Sequence, residues 1–395
     1  MASPVSELKP SQRLLLGPGP SPVSPRVLRA MSTPLLGHLD PEFLLIMNEV
    51  QAMLRSVFQT THMFTIAISG TGSAGMEAAL VNVIEPGDTV LVCVGGVFGM
   101  RMADIVGRCG GKLVKLEVPW GQVFPIERIE EALKKHGKVK AVALVHAETS
   151  TGAQQPLEGL GQLCHDHGAL LVVDTVTSLG GVPVEVDRHG IDVCYSGTQK
   201  CLSCPPGLAP LTLSHRALDA VRARKGKVQS WYLDLSMLAD YWAEGKRAYH
   251  HTAPISMVYA LREALNVVLE EGLEARFARH RHHSAALMAG LAQLGCTPNA
   301  AEGHRLPSLN CVQTPHGIEE APIRKSLLLD YGIEIGGGLG PLVGKVWRIG
   351  LMGEGSRQEN VFAVLAALEQ ALAKGGRKVE PGSALAAASR VYAAT

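Results

Sequence analysis

One lysine of this chain stands where covalent chemistry is easiest to arrange. In Tyr195-Ser-Gly-Thr-Gln-Lys200 a strand-like run ends in a polar turn, and Cys201-Leu-Ser-Cys-Pro-Pro-Gly207 follows at once. Lysines usually stay solvated. Partial desolvation in such a turn lowers the pKa of the amine and frees it to attack an aldehyde. The plain alternative is a solvated surface lysine. Asp174 closes a second apolar run, Leu170-Leu-Val-Val173, where a carboxylate stays ionised only beside a cation or strong donors. Its alternative is a helix N-cap ahead of Val176-Thr-Ser.

A third strand end, Ser69-Gly-Thr-Gly-Ser-Ala-Gly75, opens a helix. Backbone N–H groups and the helix dipole there make an anion cradle suited to phosphate. Gly70, Gly72 and Gly75 also fit the G-x-G-x-x-G dinucleotide fingerprint. That reading needs an acid at the end of the next strand, about 20 residues on, and Asp88 belongs instead to the turn Glu85-Pro-Gly-Asp88 before that strand. The glycines could also serve only close strand-to-helix packing. A phosphate cradle, a strand-end acid and a strand-end lysine, in this order, are what pyridoxal phosphate requires. The cradle holds the phosphate, the acid keeps the ring nitrogen protonated and the lysine holds the aldehyde carbon.

The elements that must position these groups alternate. Strand-like runs Phe64–Ser69, Thr89–Cys93, Ala141–Val145, Ala169–Val173 and Val193–Ser196 are separated by amphipathic stretches over 101–107, 126–135 and 157–167. This predicts an α/β fold with a mainly parallel open sheet, with ligands outside the carboxyl ends of the strands. After Gly272 the pattern changes to a helical stretch over 273–294, short strands near 309–312 and 345–349, and a helix over 359–373. We expect an N-terminal arm (1–20) of the kind that often lies across a partner subunit, a large cofactor-binding domain (21–272), a smaller α+β domain (273–374) and a tail (375–395) that frays or adds a last helix.

The segments Leu14-Leu-Leu-Gly-Pro-Gly-Pro-Ser21, Ala78–Asp88, Glu148-Thr-Ser-Thr-Gly152, Val173–Gly181, Tyr195–Lys200, Tyr249-His-His-Thr252 and Val346-Trp-Arg-Ile-Gly350 resemble those of alanine–glyoxylate and serine–pyruvate aminotransferases, class V members of the fold-type I pyridoxal-phosphate enzymes. The resemblance covers residues 12–373. It implies that Lys200 is the Schiff-base lysine and Asp174 the partner of the ring nitrogen. Thr71, Gly72, Ser73 and Gln199 would serve the phosphate, with Tyr249 and Thr252 reaching the phosphate of a neighbouring subunit in a homodimer. Thr149 and Val176 would pack near the ring. Gly19 and Arg348 would bind substrate, Arg348 clamping the carboxylate; its alternative is a structural ion pair. Two positions depart from the family pattern. Phe98 stands where relatives stack a tryptophan, and it could equally be a core aromatic; Thr71-Gly72-Ser73 replaces Ser-Gly-His.

The remaining features set limits. A formal charge of +1 from 37 basic and 36 acidic residues gives no footprint for nucleic acid or an anionic membrane. No apolar run approaches the roughly 20 residues of a membrane span, and the N-terminus lacks the layout of a secretory signal, so a cytoplasmic location is expected. The eight cysteines read as reduced and mostly buried, and Cys201-Leu-Ser-Cys204 as no redox pair. Arg279-His-Arg-His-His283 reads as a solvated basic face, with no metal site. His146 could touch the site or only satisfy local backbone. The expected reaction moves an amino group from alanine or serine to glyoxylate or pyruvate. Its rivals are a lyase or desulfurase of the same class, for which Cys296 and Cys311 are poorly placed, and an NAD-dependent oxidoreductase.

Overall fold

The structure is a computed structural model that describes residues 7–243, 245 and 247–394; the start of the expected arm, residues 1–6, and Thr395 of the tail lie outside them. Seven strands form the central sheet in the spatial order Phe64–Ser69, Leu208–Leu213, Val193–Tyr195, Leu170–Asp174, Ala141–Val145, Thr89–Val94, Lys112–Glu117. Leu208–Leu213 runs antiparallel to both its neighbours, and the other pairings are parallel. Every residue of Ala141–Val145 and Leu170–Asp174 is buried, as strands covered by helices on both faces must be.

Two of the seven are absent from the sequence-based strand list. Lys112–Glu117 is an edge strand, whose lysines and glutamate protect an otherwise unpaired backbone row. Leu208–Leu213 holds Pro210, which argues against a central strand, yet the carbonyl of Pro210 still accepts from the Ser196 N–H at 2.8 Å.

A second sheet, antiparallel, joins Thr297–Pro298, Leu309–Gln313, Val346–Gly350 and Gly336–Gly337. Helices Leu273–Gln293, Glu320–Asp330 and Gln358–Lys374 cover it around a separate core that contains Leu287, Leu291, Trp347, Ile349 and Leu365. The tail adds a helix, Ser383–Ala393, that buries Ala384 and Ala388 in the same core. Leu14–Leu15 pairs in parallel with Ile333–Glu334 and Leu16 joins the second core, so this part of the arm packs within its own chain.

One expectation is overturned here. The 279–283 segment is not a solvated basic face. His280 is fully buried and accepts the Gly353 N–H at 2.9 Å, while Arg279 binds Glu271 and the carbonyls of Gly353 and Ser356. The segment faces the loop that leads into Gln358–Lys374, and Glu271 offsets its charge. Among the described residues no group of His, Cys, Asp or Glu is gathered for a metal ion.

Candidate active site

Asp174 ends its strand 2 % exposed. One carboxylate oxygen accepts the Val176 N–H at 2.8 Å and the other accepts the Tyr195 hydroxyl at 2.9 Å. The first is the local bond of the N-cap alternative, but the second comes from the neighbouring strand. Burial pushes the carboxyl up to about 7, although both donors pull it down. A carboxylate in that position is short of positive charge.

Lys200 lies in the turn after the adjacent strand, 8 % exposed. Its ammonium donates to the carbonyl of Pro18. Burial brings the amine down to about 8, the Arg348 guanidinium acting in the same direction and Cys201 and Asp174 against it. The N-terminal stretch forms the roof: the Ser21 hydroxyl donates to the Lys200 carbonyl at 2.7 Å and the Ser21 N–H to the Gln199 carbonyl at 2.9 Å. Gly19 has φ +109°, and a Cβ there would fall 2.7 Å from the Lys200 nitrogen, so only glycine fits.

The cradle is the start of helix Gly72–Val83, with Thr71 at its N-cap position and no cap bond from the Thr71 hydroxyl. Gly70 has φ +152° and no room for a methyl beside Ala74. A Cβ on Gly72 would lie 3.2 Å from Val176 and 3.5 Å from the Gly197 Cα, so cradle, acid loop and lysine turn adjoin. Thr71 and Ser73 are exposed, and the side-chain oxygen of Gln199 is buried with no partner among the described residues. Asp88 accepts the N–H of Glu85 within its own turn, which removes the acid a dinucleotide site needs.

Arg348 is 6 % exposed and donates to the carbonyls of Gly337 (2.7 Å) and Thr149 (3.3 Å). Burial lowers its pKa, and among the described residues it forms no ion pair, contrary to the structural alternative. The hydroxyls of Thr149 and Thr177 are 2.6 Å apart. Phe98 sits half-buried in the first turn of helix Val97–Arg108, with the Arg101 guanidinium 4.8 Å from its ring centre. Tyr249 and Thr252 are not part of this buried group. Both are exposed, and the Tyr249 ring rests 5.3 Å from His38.

Glu148 stands here with no role foreseen from sequence. It is 5 % exposed and accepts the Ser150 N–H (3.1 Å), the Ser150 hydroxyl (2.6 Å) and the Gly99 N–H (3.4 Å), anchoring the helix that carries Phe98. Its place after the Ala141–Val145 strand was the available clue. His146 bonds Ser178 at 3.0 Å, and burial drives it down to about 3, a neutral structural histidine. All eight cysteines are buried and free, and burial pushes Cys296 and Cys311 up to about 12. No thiolate nucleophile for desulfuration is available there.

The Thr71 hydroxyl with no cap bond, the Gln199 oxygen with no partner among the described residues, the cation-deficient Asp174 and the desolvated Lys200 suit pyridoxal phosphate, which brings a phosphate, a protonated ring nitrogen and an aldehyde. The family model described as aminotransferase class-V matches residues 14–351. The chain is 46% identical to an (S)-ureidoglycine–glyoxylate transaminase of Bacillus subtilis, over 98% of this chain and 97% of that protein. It is 44% identical to an alanine–glyoxylate aminotransferase of Callithrix jacchus, over 94% and 91%. Among solved structures, an alanine–glyoxylate aminotransferase from Nostoc sp. matches with TM-score 0.92 and 49% identity, over 94% of this chain and 98% of that one.

Proposed function

Because the chain belongs to the class-V aminotransferases, fold-type I enzymes that use pyridoxal phosphate, we propose that it moves the amino group of a small neutral amino acid, alanine or serine, to glyoxylate or pyruvate, with Lys200 and Asp174 as its catalytic pair. The observation that carries this reading is a desolvated Lys200 beside a buried Arg348 that forms no ion pair among the described residues.

Bound here, the cofactor supplies an aldehyde and an electron-withdrawing ring. Lys200 would hold it covalently and, once displaced by substrate, would move the α-proton; an amine brought down to about 8 is suited to both tasks near neutral pH. Asp174 would sit against the ring nitrogen, and that positive charge answers the deficit that burial imposes on the carboxylate. Thr71, Gly72, Ser73 and Gln199 would bind the phosphate, Phe98 would offer its face to the ring, and Thr149 and Val176 would flank it. Arg348 would clamp the substrate carboxylate as a bidentate pair, and Gly19 keeps the space beside Lys200 open. Among the described residues Arg348 is the arginine whose charge acts on Lys200. One clamp favours neutral donors over aspartate and glutamate.

The same reading includes a homodimer in the cytoplasm. Exposed Leu28, Leu35, Leu39, Leu45 and Tyr249 support a covered face, from which Tyr249 and Thr252 would reach a neighbouring copy. Among the described residues no helix is long and apolar enough to cross a membrane. A second reading for the donor, an amino acid bearing a ureido group, is favoured by the similarity to the Bacillus subtilis enzyme. The test is a donor and acceptor panel with the purified protein. Turnover of alanine or serine with glyoxylate or pyruvate supports the first reading, preference for (S)-ureidoglycine the second, and preference for glutamate over all of them refutes the single-clamp argument.

A further inference from the structure

We propose that Arg276, on the helix Leu273–Gln293 outside the central sheet, is a positioning residue that fixes Lys200 relative to Asp174. The inference rests on the site assignment above. Arg276 is 2 % exposed, and its guanidinium divides between the two turns that carry those residues. Its Nε donates to the Gly180 carbonyl at 3.0 Å, in the turn that follows Asp174, and one Nη donates to the Cys201 carbonyl at 2.6 Å, next to Lys200. The other Nη binds Glu271, which also holds Arg279. The two turns already touch. A Cβ on Gly181 would collide with the Cys201 sulfur, and one on Gly180 would lie 3.0 Å from Leu202.

Contact alone leaves such turns free to slide, whereas a planar fork bonded to both fixes their spacing and angle. A lysine in place of Arg276 could reach one carbonyl but could not span both with fixed geometry. Arg276 acts on Lys200 through the backbone carbonyls of Gly180 and Cys201 that it bonds, so its effect is geometric. A misplacement of about 1 Å in a reacting group costs about 10²-fold in rate, which gives the residue leverage without contact with substrate.

The test compares full-length wild type with Arg276→Gln, Arg276→Lys and, as a control, Arg279→Gln, which shares Glu271 but touches neither turn. Each cofactor-free protein is mixed with pyridoxal phosphate. The readouts are the rate of covalent capture, the visible band of the bound cofactor, kcat and KM for both substrates, and the melting temperature. Wild type must first capture the cofactor at Lys200; failure there sinks the site assignment and not this inference alone. With capture established, Arg276→Gln is expected to lose roughly 10–100-fold in capture rate and kcat, with KM within about threefold and a shifted band. Arg276→Lys should be intermediate and Arg279→Gln near wild type. If Arg276→Gln does not fold, Arg276→Lys decides. Wild-type capture and spectrum in a folded Arg276 variant, or an equal loss in Arg279→Gln, overturns the proposal.

Discussion

Asp174→Asn should make the cofactor-free protein more stable and the loaded enzyme nearly inactive. Asparagine's oxygen can still accept from Val176 and its amide can donate to the Tyr195 oxygen, the Tyr195 hydroxyl then giving up its present acceptor. The folded carboxyl titrates at about 7 against an ordinary 3.8. Folding therefore favours the protonated form; that contribution is complete below 3.8 and is lost as the pH rises through 7. Above 7 the cofactor-free protein holds a buried carboxylate at a cost of about 4 kcal/mol, at about 1.36 kcal/mol for each pH unit between the two values. Asparagine carries no such cost. Thermal melting of both cofactor-free proteins from pH 4 to 8 should show the variant several degrees higher at pH 8, with the gap closing in acid. In the loaded enzyme the order reverses, and turnover should fall by roughly 10²–10⁴. A cofactor-free variant that melts no higher than wild type at pH 8, or a loaded variant that turns over normally, refutes the reasoning.

Three further outcomes are expected. Capture of pyridoxal phosphate by the cofactor-free protein should quicken as Lys200 loses its proton, with a midpoint near 8; stopped-flow rates with a midpoint near that of a free lysine would contradict the desolvated amine. Arg348→Ala should weaken binding of amino acid and keto acid alike by roughly 2–5 kcal/mol, seen as a raised KM for both, and an unchanged KM for either would remove Arg348 from the clamp. Gly19→Ala would put a methyl 2.7 Å from the Lys200 nitrogen at φ +109°, so borohydride reduction and peptide mapping should find far less label on Lys200 than in wild type; equal labelling would show that the roof yields.

Strand ends made the central pieces legible. Lys200, Asp174 and the Gly70–Gly75 cradle each follow an apolar run, and in a parallel sheet those ends converge whatever the details of packing. Glu148 also follows a strand, but its role comes from Gly99 and Ser150 closing on it in three dimensions, which no spacing in the sequence marks. Arg276 and His280 were hidden for a related reason. Helical periodicity marks an apolar stripe and does not reveal a charged side chain turned inward to bond backbone carbonyls of distant turns. Pro210 concealed a central strand, since the rule against proline in a strand concerns its missing donor, and the carbonyl that pairs with Ser196 does not need one.

The roof over Lys200 also sets an order of assembly. Leu14 and Leu15 find their strand partners at Ile333 and Glu334, on a stretch of chain the ribosome makes long after Lys200. Contacts so distant in sequence close late, because their loop must be gathered before any pairing rewards it. A nascent chain that has just completed the seven-stranded sheet therefore holds its lysine, its acid and its cradle while Pro18 and Gly19 have nothing beyond residue 332 to anchor them. Until then the Ser21 bonds to Gln199 and Lys200 tie the stretch to the lysine turn, and the later strand completes the roof.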